Sequence, residues 1–212
     1  MDHKSGIPYY CGSRQPNCDY HHGQLSPVKG AGCYQVTRAN RTHPEWDDGI
    51  GGTYKHGADL AWWNGSFYVH YFTNPVSEHT GAGQSILAVS RDGRRWEDFR
   101  VAFPPYRIPA CTVTDYKGNT VGFSGETYAF IHQRVGFYRT KGNRLLLLGF
   151  YGWSPKPWVN NWDNYGIGRV VRELYPDETM GPIYFIRPCW QGGWSREQLL
   201  YPLYTEAEDK GF

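Results

Sequence analysis

The sequence predicts an all-β fold built from repeated four-stranded units. Three observations carry that expectation. Gly 26 and Pro 14 interrupt the 212-residue chain at short intervals, and aromatic residues make up 17% of it (Trp 9, Tyr 17, Phe 10), a composition of strands and turns. Runs rich in β-branched and aromatic residues alternate with turn signals. The order of those signals then recurs. The hairpin turn at Asn64-Gly65 returns at Lys141-Gly142-Asn143, an offset of about 77 residues, and the turn aspartate Asp92 returns as Asp177, an offset of about 85.

Residues 1–30 show no periodicity and read as an irregular N-terminal arm. From residue 31 to 212 the pattern is strand, turn, strand. In the first unit, about residues 32–103, residues 56–63 form an apolar strand and Asn64-Gly65 is a type I′ turn signal. Residues 67–72 form the return strand, and a polar loop leads to a third strand over 85–90. That strand runs into the heptad Ser90-Arg-Asp-Gly-Arg-Arg-Trp96. Here Asp92 can bond its own turn backbone, Gly93 supplies a positive φ, and Trp96 covers apolar surface just after the turn. A fourth strand ends at Phe103. The second unit, about residues 125–187, follows the same plan. Its strands fall at 135–138, 145–151, 168–174 and 183–186, with a degenerate version of the aspartate turn around Asp177. A repeated four-stranded unit is a propeller blade. Closed propellers need four to eight blades, so the chain reads as an N-terminal part of a six- or seven-bladed propeller.

The charge balance narrows the function classes. With 22 basic and 20 acidic residues the net charge is +2, and no Lys/Arg run forms a nucleic-acid patch. No segment approaches the length of an apolar membrane span. The opening residues lack the apolar stretch of a signal peptide, which leaves a cytoplasmic protein or an extracellular or periplasmic one whose leader has been removed. Five cysteines, an odd number, argue against a full disulfide framework, and an oxidising compartment would allow Cys11–Cys18 as one pairing. No GxSxG, HExxH or CxxC motif is present. Asp59, Asp47 and Asp48 are the candidate oxygen ligands for a structural Ca²⁺.

In a propeller the innermost strand of each blade lines the axial channel, and its leading end with the preceding loop forms the usual active face. Two such leading ends stand out: Tyr54-Lys55-His56-Gly57-Ala58-Asp59 and Ile131-His132-Gln133-Arg134. Aligning the hairpin turns sets His56 and His132 at equivalent positions, to within one residue. His43, in the loop before the first inner strand, is a candidate for substrate contact. Arg169 and Arg172, three apart, are expected on opposite faces of a strand, one toward the channel and one in an outer ion pair. Tyr151 ends a return strand beside a loop carrying Trp153, Trp158 and Trp162. Flat rings of this kind suit pyranose faces, and a Tyr near Arg can act as acid or base.

The Ser90–Trp96 heptad fits S-x-D-G-x-x-W, the Asp-box hairpin of sialidase-like (BNR-repeat) β-propellers, and the chain resembles that superfamily. The runs 56–68, Thr73-Asn-Pro75, 132–138 and 145–152 resemble, within it, the polysaccharide-lyase propellers acting on uronic-acid glycans, among them ulvan lyases and rhamnose–glucuronate lyases, and the related α-rhamnosidase-like propellers. The resemblance covers about residues 33–190 and implies a poly- or oligosaccharide substrate. It implies His56 as base or acid, with His132 or Tyr151 as its partner, and Arg134 or Arg169 holding a uronate carboxylate. Asp59 and Trp153 complete the expected substrate-binding set. A cation on the carboxylate stabilises the enolate-like transition state of β-elimination. Two alternatives stay open: a glycoside hydrolase of sialidase or rhamnosidase type, with a tyrosine nucleophile and three arginines, and a glycan-binding propeller without catalysis.

Overall fold

A computed structural model of the chain describes residues 30, 32–40, 42–43, 47–78, 80–131, 135–154 and 166–204. Met1–Tyr34 group apart from Gln35–Phe212, and the described strands lie in the latter. Cys11 and Cys18 fall outside the described residues; Cys33, Cys111 and Cys189 are free thiols.

The first sheet contains β1 (Tyr54–Trp63), β2 (Ser66–Asn74), β3 (Gln84–Ser90) and β4 (Glu97–Phe103), paired in that order and antiparallel throughout. It is one propeller blade. The turn between β1 and β2 is made by Asn64 (φ 48°) and Gly65 (φ 78°), two successive left-handed residues as a type I′ hairpin requires. β2 is buried along nearly its whole length, because both faces of the sheet are covered there. β1 alternates instead between exposed and half-buried residues, and a bulge between His56 and Asp59 sets His56 opposite Phe72, on the other face from Leu60, which lies opposite Val69. The aspartate turn between β3 and β4 closes as its sequence dictates. Asp92 Oδ1 accepts from the Arg94 and Arg95 amides at 2.8 and 2.9 Å, and Gly93 N–H donates to Ser90 Oγ at 2.9 Å.

A short hairpin, β5 (Cys111–Thr114) with β6 (Thr120–Phe123), follows. The spacing of the two blades gives no sign of it. The second blade then contains β7 (Phe130–Ile131), β8 (Gly136–Arg139), β9 (Leu145–Gly152), β10 (Gly166–Leu174) and β11 (Tyr184–Pro188). β7 and β8 both pair with β9, β8 matching the strand expected over 135–138. β10 and β11 complete the blade. In the β8–β9 turn the left-handed residue is Asn143 (φ 63°), with Thr140 N–H and Arg144 carbonyl closing a three-residue loop at 3.0 Å.

The two blades share one core. Tyr68, Phe72, Leu87, Val89 and Phe103 of the first meet Leu145, Leu147, Tyr151, Val170 and Phe185 of the second. The opposite face of the first blade has its own smaller cluster, Val69, Tyr71, Ile86 and Ala88, on which Val36, Ile50 and Trp96 pack. At the lower end, where the hairpin turns lie, polar contacts interlock the blades. Trp63 Nε1 donates to the Asn143 carbonyl at 2.8 Å, and Arg91 pairs with Glu178 at 2.6 Å, joining one aspartate turn to the other.

Candidate active face

The upper end of the first blade, where β1 begins and β2 ends, gathers the polar groups best placed for chemistry. Thr53 is tied to the Pro75 carbonyl by its amide (3.2 Å) and its hydroxyl (3.0 Å), which fixes the start of β1 against the end of β2. Asn74 is fully buried, and its Nδ2 donates to the Glu78 carbonyl at 2.6 Å, pinning the turn that carries Glu78. Tyr54 lies beside it. Burial, and the facing Glu78 carboxylate, raise the Tyr54 phenol above its ordinary range. His56 stands next to Tyr54, ring centroids 6.0 Å apart, with Phe72 edge-on at 5.7 Å. The imidazole is exposed, and among the described residues it makes ring contacts only.

Gly83 shapes the same corner. A Cβ there would lie 1.9 Å from Asn74 Oδ1 and 2.7 Å from the Ile131 amide nitrogen. Only glycine lets the second blade's innermost strand come this close to the first. His132 and Arg134, which follow Ile131, lie outside the described residues, as do Trp158 and Trp162. His43 is half-buried, and its amide donates to Asn40 Oδ1 at 2.8 Å in a side-chain-closed turn.

Other expected site residues take different parts. Asp59 accepts from the Leu60 amide at 2.9 Å and the Phe137 amide at 2.8 Å, so it latches β1 to β8 rather than facing a glycan. Tyr151 is fully buried, donates to the Pro104 carbonyl at 2.5 Å and stacks at 4.8 Å on Tyr106. Burial pushes its phenol well above the ordinary range. This corrects the expectation of an acid–base tyrosine: a group sealed in the core cannot reach a solvent-borne sugar. Trp153 is also buried, edge-on to Phe123 at 4.9 Å, and is core rather than sugar platform.

Among the described residues Arg172 forms no ion pair. Its guanidinium donates to the Gly181, Met180 and Ala102 carbonyls and so ties the two blades together. Arg169 is exposed on β10, the third strand from the channel, and not on the innermost one. The aspartates proposed for Ca²⁺ are not assembled as a cage. Asp47 and Asp48 both pair with the Lys55 ammonium, Tyr71 O–H donates to Asp48 at 2.7 Å, and Asp59 is engaged elsewhere. Burial pushes Asp48 upward, but the hydrogen bonds from Lys55, Tyr71 and the Ile50 amide outweigh it and hold the carboxyl below its ordinary range. Among the described residues no group of three metal-ligating side chains occurs, and no helix is long and apolar enough to cross a membrane.

Sequence reasoning missed the pairing of Tyr54 with Glu78. It also missed His70, which is fully buried between the blades. His70 Nδ1–H donates to the Gly136 carbonyl (3.4 Å), and Nε2 accepts from Ser85 Oγ (2.8 Å), which accepts in turn from the Phe103 amide (3.1 Å). That chain of roles fixes a neutral tautomer.

Comparison with known proteins follows this architecture. A family model described as BT_1020-like, N-terminal beta propeller, matches residues 7–212. A solved structure named "Sialidase" is similar, with 41% identity and a TM-score of 0.77 over 94% of this chain. The match spans 18% of that structure's own chain. No curated protein matches the sequence.

Proposed function

The chain belongs to the BT_1020-like N-terminal β-propeller family, and from that membership we propose that it forms the sugar-acting face of a carbohydrate-active enzyme whose substrate carries a carboxylate. One observation carries the reading: Tyr54, faced by the Glu78 carboxylate, stands beside the exposed imidazole of His56 at the upper end of β1. A phenol held protonated is a weak nucleophile until an adjacent base takes its proton. Glu78 is placed to be that base. Tyr54 oxygen then attacks the anomeric carbon while a protonated His56 gives its proton to the departing oxygen. Water next attacks the same carbon and leaves a proton on the neutral imidazole, while the departing phenolate takes back the proton held by Glu78. Sialidases replace the second carboxylate of ordinary glycosidases with a tyrosine in this way, and the 41% identity to a structure named "Sialidase" favours hydrolysis.

β-Elimination is the second reading, favoured by the exposed, unbonded imidazole. Neutral His56, with His132 as partner, removes the proton beside a uronate carboxylate that Arg134 neutralises, and the pair of electrons expels the glycosidic oxygen.

The test offers glycans bearing rhamnose on glucuronate and follows both free sugar and the ultraviolet absorbance of an unsaturated uronate. Free sugar without absorbance supports hydrolysis, and a rise in absorbance supports elimination. Either activity should fall at least about a hundredfold in His56→Ala with the fold retained, the usual scale for a lost acid–base group. Tyr54→Phe separates the readings further, since it stops hydrolysis by the tyrosine route. Turnover unchanged in both variants would remove this corner from the mechanism.

A further inference from the structure

The second blade holds a cavity of about 310 Å³ that neither the core nor the Tyr54–His56–Glu78 corner uses. It lies where β9 ends, β10 begins and β11 ends. That volume is at the lower limit of small-molecule sites and suits a single sugar ring. Arg169, Arg187, Trp190 and Gln191 line it, with Phe150 and Gly168 beneath.

Arg169 and Arg187 are register partners on adjacent strands, so their side chains leave the sheet together. Like charges directly opposite one another are destabilising, and among the described residues neither guanidinium has a hydrogen-bond or ion-pair partner. Several other arginines are paired. Arg91 meets Glu178, Arg107 meets Glu126, Arg144 meets Glu173, and Arg172 is satisfied by carbonyls. The two cations of this pocket face open space instead.

The pocket is also built rather than incidental. A Cβ at Gly168 would lie 2.6 Å from the Arg187 carbonyl oxygen, and one at Gly166 would lie 2.7 Å from the Phe150 ring. Glycine at both positions keeps β10 close to its neighbours and leaves the floor unfilled. The wall is a short 3₁₀ turn, Trp190–Gly192, which presents Trp190 half-exposed at the rim. The Gln191 carbonyl accepts from the Tyr116 amide at 3.0 Å, and the Thr114 backbone fills the space where Gly193 would carry a Cβ. The β5–β6 hairpin thus braces the wall before any ligand arrives.

We propose that this pocket is an accessory binding site for an acidic sugar. The two guanidinium forks take the carboxylate, which removes their mutual repulsion. The Trp190 ring takes the C–H face of the pyranose. The site makes no bond and breaks none. It does not rest on the proposed function, because the arginines sit on the third and fourth strands of the second blade and the catalytic corner sits on the first blade.

Calorimetric titration of the protein with glucuronic acid, and with glucose as its neutral counterpart, tests the assignment. Glucuronic acid should saturate at millimolar concentration and glucose should not, with affinity falling as salt rises. Arg169→Ala and Arg187→Ala should each weaken binding about tenfold or more, and Arg187→Lys should restore only part of it, since an ammonium lacks the fork. Trp190→Ala should weaken it as well. Near-ultraviolet circular dichroism confirms that each variant is folded. Absence of saturation, equal binding of glucose, or full binding in the Arg169→Ala/Arg187→Ala double variant would each overturn the proposal. Binding that survives the arginine changes but vanishes in His56→Ala would overturn it too, while pointing to the first-blade corner.

Discussion

At the scale of single residues, His70 has the clearest consequence. Burial dominates and lowers its pKa from the ordinary 6.5 to about 4, against the opposing pull of the Gly136 carbonyl and the Asp59 charge. The folded state therefore holds a neutral imidazole where the unfolded chain would be protonated. Because the folded value is the lower one, stability is intact above about pH 6.5 and declines as pH falls toward 4. Each pH unit in that window removes about 1.4 kcal/mol, for a total on the order of 3 kcal/mol. Urea denaturation between pH 4 and 8, compared with His70→Gln, checks this. The wild-type curve should fall more steeply than the variant's only inside that window, and parallel curves would mean that His70 is not held neutral. Nothing near residue 70 in the sequence announces this. A histidine in an apolar strand becomes an inter-blade polar contact only once the second blade supplies Gly136. Tyr54 and Glu78 were illegible for a related reason: they lie 24 positions apart, and Tyr 17 makes any one tyrosine a poor signal.

At the scale of elements, local chemistry was legible and strand irregularity was not. The Ser90–Trp96 turn could be read because its hydrogen bonds lie within the heptad. The Asn64-Gly65 turn could be read because both residues tolerate a positive φ. Arg169 could not be placed, because β10 shifts register against β11 between Arg169 and Val170 and against β9 between Gly166 and Gly168. A bulge changes which way a side chain points, and strict alternation then misassigns it. The start of β1 yields a second prediction. Lys55 is the cation that both Asp47 and Asp48 meet, and all three side chains are largely buried. Lys55→Met leaves two carboxylates facing each other without a counter-charge, and breaking a buried pair of this kind costs about 3–5 kcal/mol. The loss should be full at pH 7. Asp48 is held below its ordinary range in the wild type, so the contribution present above the unfolded carboxylate pKa disappears as pH falls through the lower folded value. In the variant burial raises the same carboxyl, and acid relieves the repulsion. The gap between the two proteins should therefore narrow on acidification. A gap that is constant with pH would show that Lys55 acts through packing of its stem.

At the scale of the whole molecule, neither blade owns a complete core. Phe72, Leu87 and Phe103 need Leu145, Leu147 and Phe185 to be covered, and the reverse is equally true. The polar ties between blades also lie at different heights. Trp63 reaches Asn143 and Arg91 reaches Glu178 at the lower end, Asp59 takes the Phe137 amide along the inner strands, and Arg172 reaches the Ala102 carbonyl on β4. A contact set spread this way leaves no plane along which one blade could open while the other stayed closed. The two blades should therefore unfold in a single cooperative transition, with calorimetric and van't Hoff enthalpies in agreement. Trp63→Ala is the sharpest probe, since Trp63 is buried between the blades and anchors its indole N–H on the second. The cavity should remove about 3–5 kcal/mol, and the loss should be felt by both blades. Hydrogen exchange would then show amides of β2 and β9 losing protection by the same free energy. Loss confined to β2, or a second melting step that persists for β9, would mean that the blades are separate folding units and that the shared core is contact without cooperativity.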